Sequence, residues 1–325
     1  AEGLVGKILV TGCLSQRYQT MILEEMPEVD GILGTGSYTE IVPAIEALLN
    51  DQQVVDFGSI DAPEQETGRI MTTPEHYAFI KIAEGCDNRC TYCIIPYLRG
   101  KFRSRTIEDI VAEARDLAAL GTKELVVVSQ DTTRYGEDLY GEVKLPQLLD
   151  ALCEIEGVRW IRMLYTYPDR ITDELLDTMA KQEKVLNYLD IPLQHCNGDI
   201  LKCMNRKGDR HSLTKLIEKI RAKLPDVTLR TTFITGFPGE TEEDFETLCR
   251  FVKEEKFECV GVFPYSREEG TPAYDMPDQI DAQIAQALYI GMVTDTGCFR
   301  FSNTSRKTME VAGELMTFGF GFSRI

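Results

Sequence analysis

Between residues 78 and 105 the chain reads AFIKIAEGCDNRCTYCIIPYLRGKFRSR, with Cys86, Cys90 and Cys93 in the spacing C-x3-C-x2-C. The residues just before, Tyr77 to Ile82, read as a buried strand that stops at Gly85. Gly85, Asp87 and Asn88 are turn formers. Three thiols therefore share one short loop at a strand end, and soft thiolates so placed suit iron–sulfur ligation. Protein-bound clusters commonly take four cysteines. Three on one loop leave one iron of a four-iron cluster open, by the logic that separates catalytic from structural zinc sites. A zinc knuckle and unpaired core cysteines are the alternatives on spacing alone.

Strands and helices alternate after this loop. Thr106 caps a helix through Leu120, and Glu124–Ser129 is an apolar run of parallel-sheet type. A helix over Leu145–Ile155, a strand over Arg159–Tyr165 and a helix from Thr172 to about Ala180 follow. Val185–Ile191 reads as a strand, 199–204 and Ser212–Leu224 as helices, and Val227–Ile234 as a strand ending in Gly236-Phe-Pro-Gly-Glu240. Thr241 caps a helix to Glu254 with Asp244 as its capping-box partner, and Cys259–Phe263 is the last strand. Six strand–helix units in series predict an α/β fold, an open partial (β/α)6 barrel whose site lies at the C-terminal strand ends. A doubly wound sheet fits the same pattern.

Ahead of it, Lys7–Val10 and Val29–Leu33 read as strands, Ser15 as the cap of a helix through Met26, and Ser37 as the cap of a helix to Leu49 with Ile41, Ile45 and Leu48 on one face. The expected organisation is a partial N-terminal α/β domain over 1–57, a linker over 58–73, a core over 74–282 and a divergent tail over 283–325. The first strand starts almost at residue 1, so further sequence is expected upstream.

The net charge of −18 argues against general binding to nucleic-acid backbone. Two basic groups, Lys101/Arg103/Arg105 and Arg206/Lys207/Arg210, read as solvated faces. With no apolar run of membrane-spanning length and no signal peptide in view, ten cysteines point to a reducing cytoplasm. Cys153, Cys249 and Cys259 read as core residues, as do Cys196 and Cys203, whereas Cys13 sits in a Thr-Gly-Cys turn at a strand end, where α/β folds place ligands. If the barrel holds, Gln130, Asp131, Thr166, Tyr167, Gln194, His195, Gly236, Glu240 and Tyr265 ring one polar pocket.

The cysteine loop, with Tyr92 in C-x3-C-x-aromatic-C, resembles the signature of the radical S-adenosylmethionine (SAM) enzymes. With SQDTTRYGEDLYG at 129–141, YTYPDRITDELL at 165–176, LDIPLQHCNGDILKCMNRKG at 189–208, LRTTFITGFPGETEEDF at 229–245 and VGVFPYSREEGTPA at 260–273, the chain is similar to the radical SAM methylthiotransferases. The resemblance implies two [4Fe-4S] clusters, one on Cys86, Cys90 and Cys93 that binds SAM and one that includes Cys13. It implies cofactor contacts from Tyr92, Gln130, Asp131, Gln194, His195, Gly236 and Glu240. It also implies reductive cleavage of SAM to a 5′-deoxyadenosyl radical and transfer of a methylthio group.

Ser129-Gln130-Asp131 and Pro192-Leu193-Gln194-His195 match the branch acting on an aspartate β-carbon of small-subunit ribosomal protein twelve. The branch that modifies transfer-RNA adenosine carries Gly-Gln-Asn and Pro-Val-Gln-Ser there. That second branch and an inactive iron–sulfur scaffold are the competing readings. The implied partners are the ribosomal protein or ribosome and a flavodoxin or ferredoxin reductant, in the cytoplasm, with no membrane and no DNA.

Overall fold

The computed structural model describes residues 5–62, 70–72 and 74–277, so the reading of 283–325 lies outside the described residues. The chain begins with β1 (Leu9–Thr11), α1 (Cys13–Tyr18), α2 (Met21–Glu25), β2 (Gly31–Gly36), α3 (Ile41–Leu49) and β3 (Val54–Gly58). The strands form a parallel sheet in the order β1-β2-β3, with Leu9 opposite Gly31 and Gly31 opposite Val54. Gly34 has a steric role, since a Cβ there would lie 2.8 Å from the Phe57 Cα.

Two expected caps are absent. Ser15 lies inside α1, which starts two residues earlier from Gly12, and its hydroxyl donates to the Gly12 carbonyl at 2.8 Å and to that of Leu33. Ser37 makes no side-chain cap; a 3-10 turn over Tyr38–Glu40 leads into α3. That helix buries Ala44 and Leu48 and leaves Ile41 and Ile45 exposed, so the buried face is narrower than its apolar stripe. β3 also extends through Gly58, where the linker was expected to start.

The rest runs β4 (Tyr77–Lys81), β5 (Ala83–Glu84), α4 (Ile95–Arg99), β6 (Arg103–Ser104), α5 (Ile107–Ala119), β7 (Glu124–Val128), α6 (Glu137–Tyr140), α7 (Leu145–Cys153) and β8 (Trp160–Met163). It continues with α8 (Asp173–Lys181), β9 (Tyr188–Gln194), α9 (Gly198–Cys203), α10 (Arg210–Lys223), β10 (Thr228–Thr235), α11 (Glu242–Glu255) and β11 (Cys259–Pro264). β4-β7-β8 and β9-β10-β11 are parallel sheets. A parallel bridge between Ile161 and Val185 joins them, and the Thr166 amide donates to the Asp190 carbonyl at 2.9 Å. The six long strands thus lie in sequence order. A doubly wound sheet needs a reversal of that order, so the arrangement is the partial barrel.

Thr106, Thr172 and Thr241 cap α5, α8 and α11 as the sequence requires, the last with the Asp244 capping box. Asp209 caps α10, which therefore begins at Arg210, and Ser212 is the reciprocal partner in that box. β9 starts three residues later than expected because Val185 is taken up by the bridge to β8. It then runs through Pro192, where the register against β10 shifts between Thr231 and Phe233. Such a bulge re-aims side chains, and Gln194 leaves it at φ 69°.

Along β10 burial alternates. Leu229, Thr231 and Phe233 are buried, while Arg230 and Thr232 line a cavity. The period of two in a strand puts successive side chains on opposite faces, so one face seals the core and the other furnishes the site.

Candidate functional site

The cysteine loop leaves β5 through Gly85 at φ 78°. A Cβ there would lie 2.7 Å from the Gly100 carbonyl oxygen and strike the Lys101 backbone, so only glycine fits. The Cys86 amide donates to the Gly100 carbonyl at 3.2 Å and the Cys93 amide to the Cys90 carbonyl at 3.0 Å, closing the loop on itself. The loop opens into a cavity of about 580 Å³ at the C-terminal strand ends, a size typical of cofactor and small-molecule sites. Cys86, Cys90 and Cys93 all face it. Among the described residues no three His, Cys, Asp or Glu side chains converge tightly enough for a single metal ion. Burial pushes the Cys86 thiol up to about 11 and raises that of Cys93, with the neighbouring thiols adding to both.

Of the other expected pocket residues, Tyr92, Gln130, Thr166, Tyr167 and Gln194 line the cavity. Tyr92 packs edge-on against Phe237, with ring centroids 6.5 Å apart. Gln130 donates to Glu84 at 2.9 Å. Glu84 is a buried carboxylate that also takes Lys81, Arg99 and the Gly85 amide. Burial alone would raise its pKa; Lys81 and Arg99 overcome this and hold it below the usual range.

Asp131, His195, Gly236 and Glu240 stand behind the cavity wall rather than in it. Asp131 is fully buried, accepts from the Thr133 amide at 3.1 Å, and holds Asn88, which does line the cavity, at 2.8 Å. Burial lifts its carboxyl above the ordinary range against the pull of those hydrogen bonds. Glu240 accepts from the Gly236 amide at 2.5 Å and the Phe237 amide at 3.1 Å. Its other oxygen faces His195 Nε2 at 3.5 Å, while His195 Nδ1 accepts from the Asn197 amide at 2.9 Å. This group ties the end of β9 to the turn after β10 and so fixes where Gln194 points.

Cys13 heads α1, and Arg99 Nε donates to its Sγ at 3.2 Å. Arg99 Nη1 reaches Glu84 at 2.8 Å. The first sheet is therefore tied, through one arginine, to the carboxylate that contacts Gln130 in the cavity wall. Two of the six residues read as solvated basic faces are buried instead. Arg105 pairs with Glu113 and donates to the Lys81 carbonyl, both at 2.7 Å. Arg206 lines the cavity, stacks on Tyr167 at 4.2 Å and lies 3.7 Å from the Cys90 sulfur. Cys259 and Cys203 are exposed rather than packed, whereas Cys153 and Cys196 are buried. Sequence reasoning also missed Arg230 and Asp190 at the cavity, an ion pair at 2.7 Å. The signal for Arg230 was a polar residue on an alternating strand.

The donor set fits the implied cofactors: thiols on one loop, a cavity of sufficient volume and a buried cation beside one sulfur. A model of the radical SAM superfamily matches residues 80–252, more than half of the chain. Among curated proteins, the "Ribosomal protein uS12 methylthiotransferase RimO" of Pelotomaculum thermopropionicum is 52% identical over 284 residues, covering 87% of this chain and 64% of the relative. The protein of the same name from Caldanaerobacter subterraneus is 50% identical over 273 residues, covering 84% and 62%. The chain thus spans a little under two thirds of the length of these relatives.

Among solved structures, the radical S-adenosylmethionine methyltransferase TsrM of Kitasatospora setae, with tryptophan and a SAM analog bound, aligns with a TM-score of 0.61 at 12% identity, over 79% of this chain and 55% of that one. The cobalamin-dependent S-adenosylmethionine radical enzyme OxsB aligns with a TM-score of 0.56 at 14% identity, over 86% and 42%. At such identities these two speak to the fold alone, and they agree with the sequence-ordered barrel. With the family model spanning the strands that carry the cysteine loop and its cavity, the chain belongs to the radical SAM superfamily.

Proposed function

We propose that this chain carries the catalytic core of an enzyme that adds a methylthio group to the β-carbon of an aspartate in small-subunit ribosomal protein uS12. The observation that carries the reading is the identity of about half of all aligned positions with relatives bearing that name, over more than four fifths of this chain. Cys86, Cys90 and Cys93 would hold a [4Fe-4S] cluster, and Tyr92, Gln130 and Gln194 would contact the SAM bound to it. Asp131, His195, Gly236 and Glu240 would act on that contact from behind the wall, by fixing Asn88 and Gln194. When bound, cluster and SAM supply a one-electron cleavage that makes hydrogen abstraction from carbon possible. The protein's part is to exclude water, orient SAM over the loop and admit the aspartate past Arg230 and Tyr165 at the cavity. Cys13 would belong to a second cluster on the first sheet.

The same reading makes the segment through Gly58, the end of β3, part of the family's N-terminal domain, the residues from 59 to 73 a linker and 74–282 the radical SAM core. It places the protein in the cytoplasm with a flavodoxin or ferredoxin as electron donor. Among the described residues no helix is long and apolar enough to cross a membrane.

Incubating the reconstituted chain anaerobically with SAM, a reductant and uS12 tests the activity. A methylthio mass gain on uS12 is expected. Gain on transfer RNA instead would overturn the substrate assignment. SAM cleavage to 5′-deoxyadenosine should vanish in Cys86→Ala, and persistence would remove the cysteine loop from the mechanism.

A further inference from the structure

Arg206 is 7% exposed, yet among the described residues it meets no carboxylate. The comparably buried Arg105, at 6%, is paired with Glu113. An unpaired buried cation is unfavourable unless an opposite charge arrives. What surrounds Arg206 is the Pro192 carbonyl at 2.7 Å, the Tyr167 ring at 4.2 Å and the Cys90 sulfur at 3.7 Å. The Tyr167 hydroxyl stands 3.9 Å from the same sulfur.

The placement is built by the backbone. The Thr91 amide donates to the Met204 carbonyl at 3.1 Å, and the Thr91 hydroxyl to that of Cys203 at 2.8 Å. Asn205 donates to the carbonyls of Asn88 at 3.1 Å and Arg89 at 3.0 Å. Asn205 itself is at φ 56°, a conformation asparagine tolerates better than most residues. The turn over 203–206 thus clamps the cysteine loop from outside and delivers one guanidinium to one sulfur.

We propose that Arg206 is the charge-compensating group of the cluster held by Cys86, Cys90 and Cys93, and that with its clamp it raises the reduction potential of that cluster. The inference rests on the cluster reading above. Three thiolates around an iron–sulfur core carry net negative charge, and an added electron makes it more negative. A fixed cation and hydrogen-bond donor at a ligand sulfur favours the reduced state, because net charge and bonds to the sulfurs set cluster potentials. Arg206 is a tuning residue and takes no part in bond making.

The test is an EPR-monitored redox titration of the reconstituted full chain, comparing wild type, R206M and R206K at equal iron and sulfide content. R206M is expected to lower the reduced-to-oxidised ratio at fixed potential tenfold or more, which is about 59 mV for one electron. R206K, which keeps charge but not the planar fork, is expected in between. A cluster-loaded R206M with the wild-type potential overturns the proposal. If R206M takes up no iron, R206K decides: a potential below wild type supports the proposal and an equal one overturns it. A wild-type chain that forms no cluster would instead sink the underlying reading.

Discussion

Glu84 shows how much a single side chain can organise. Its two oxygens take the Gly85 amide and Gln130 on one side and Lys81 and Arg99 on the other. It thereby fixes the entry to the cysteine loop, the helix that leaves it and one wall of the cavity. Glu84→Gln keeps the shape but removes the negative charge that Lys81 and Arg99 share, and both cations still reach water. The expected loss is about 1–3 kcal/mol of unfolding free energy, read by urea denaturation. A loss within error would mean that the network is incidental. Gly85→Ala should cost more than about 1 kcal/mol, because the native backbone is left-handed and the added methyl meets the Gly100 and Lys101 backbone. The same variant is expected to take up less iron, measured against wild type after anaerobic reconstitution.

At the scale of elements, the barrel helices are set by their caps. Thr172 accepts the Leu175 amide at the start of α8, and Thr172→Ala is expected to cost about 1 kcal/mol, measurable as a lower urea midpoint at unchanged slope. Next to it Asp173 bridges α8 to α10 through Lys219 at 3.1 Å and Lys223 at 3.4 Å. The Lys219 hydrogen bond, against slight desolvation, holds its carboxyl below the ordinary range. Because the folded pKa is depressed, the contribution is present above the unfolded value and is lost as the pH falls through the folded one. The stability gap between wild type and D173N should therefore be widest above about pH 5 and close as the pH falls below the ordinary carboxylate range. A gap that is constant with pH would show that the pair contributes nothing.

At the scale of the molecule, polar contacts join the first sheet to the barrel. Arg17 reaches Glu268 at 2.7 Å, Thr35 donates to the Leu98 carbonyl at 2.5 Å, and Arg99 reaches Cys13. Arg99 is the contact that leads onward to Glu84 and the cavity. Arg99→Ala is expected to speed amide exchange in α1 while leaving β7 and β10 protected, as read by hydrogen-exchange mass spectrometry. Unchanged exchange in α1 would show that the sheet docks without it. The two halves of the candidate chemistry, Cys13 and the cysteine loop, are thus linked by a side chain from the element that directly follows the loop.

The order and type of the barrel elements, the Thr caps and the thiol loop are all legible in the residues alone. These rest on local patterns: period two in strands, period three to four in helices, and turn residues beside cysteines. The sequence also carried Tyr92, Gln130 and Gln194 to the cavity, because residues at C-terminal strand ends converge in a barrel. The rest depended on long-range packing. Position after a strand did not distinguish the wall from what stands behind it, so Asp131, His195 and Glu240 looked no different from Gln130. The β9 bulge at Pro192 turns Gln194 inward and leaves His195 buried behind it. Arg206 read as one more surface cation, since nothing in its neighbours along the chain marks it. Only when the 203–206 turn folds over the loop does that charge lose its water and find a sulfur, and that contact exists only in three dimensions.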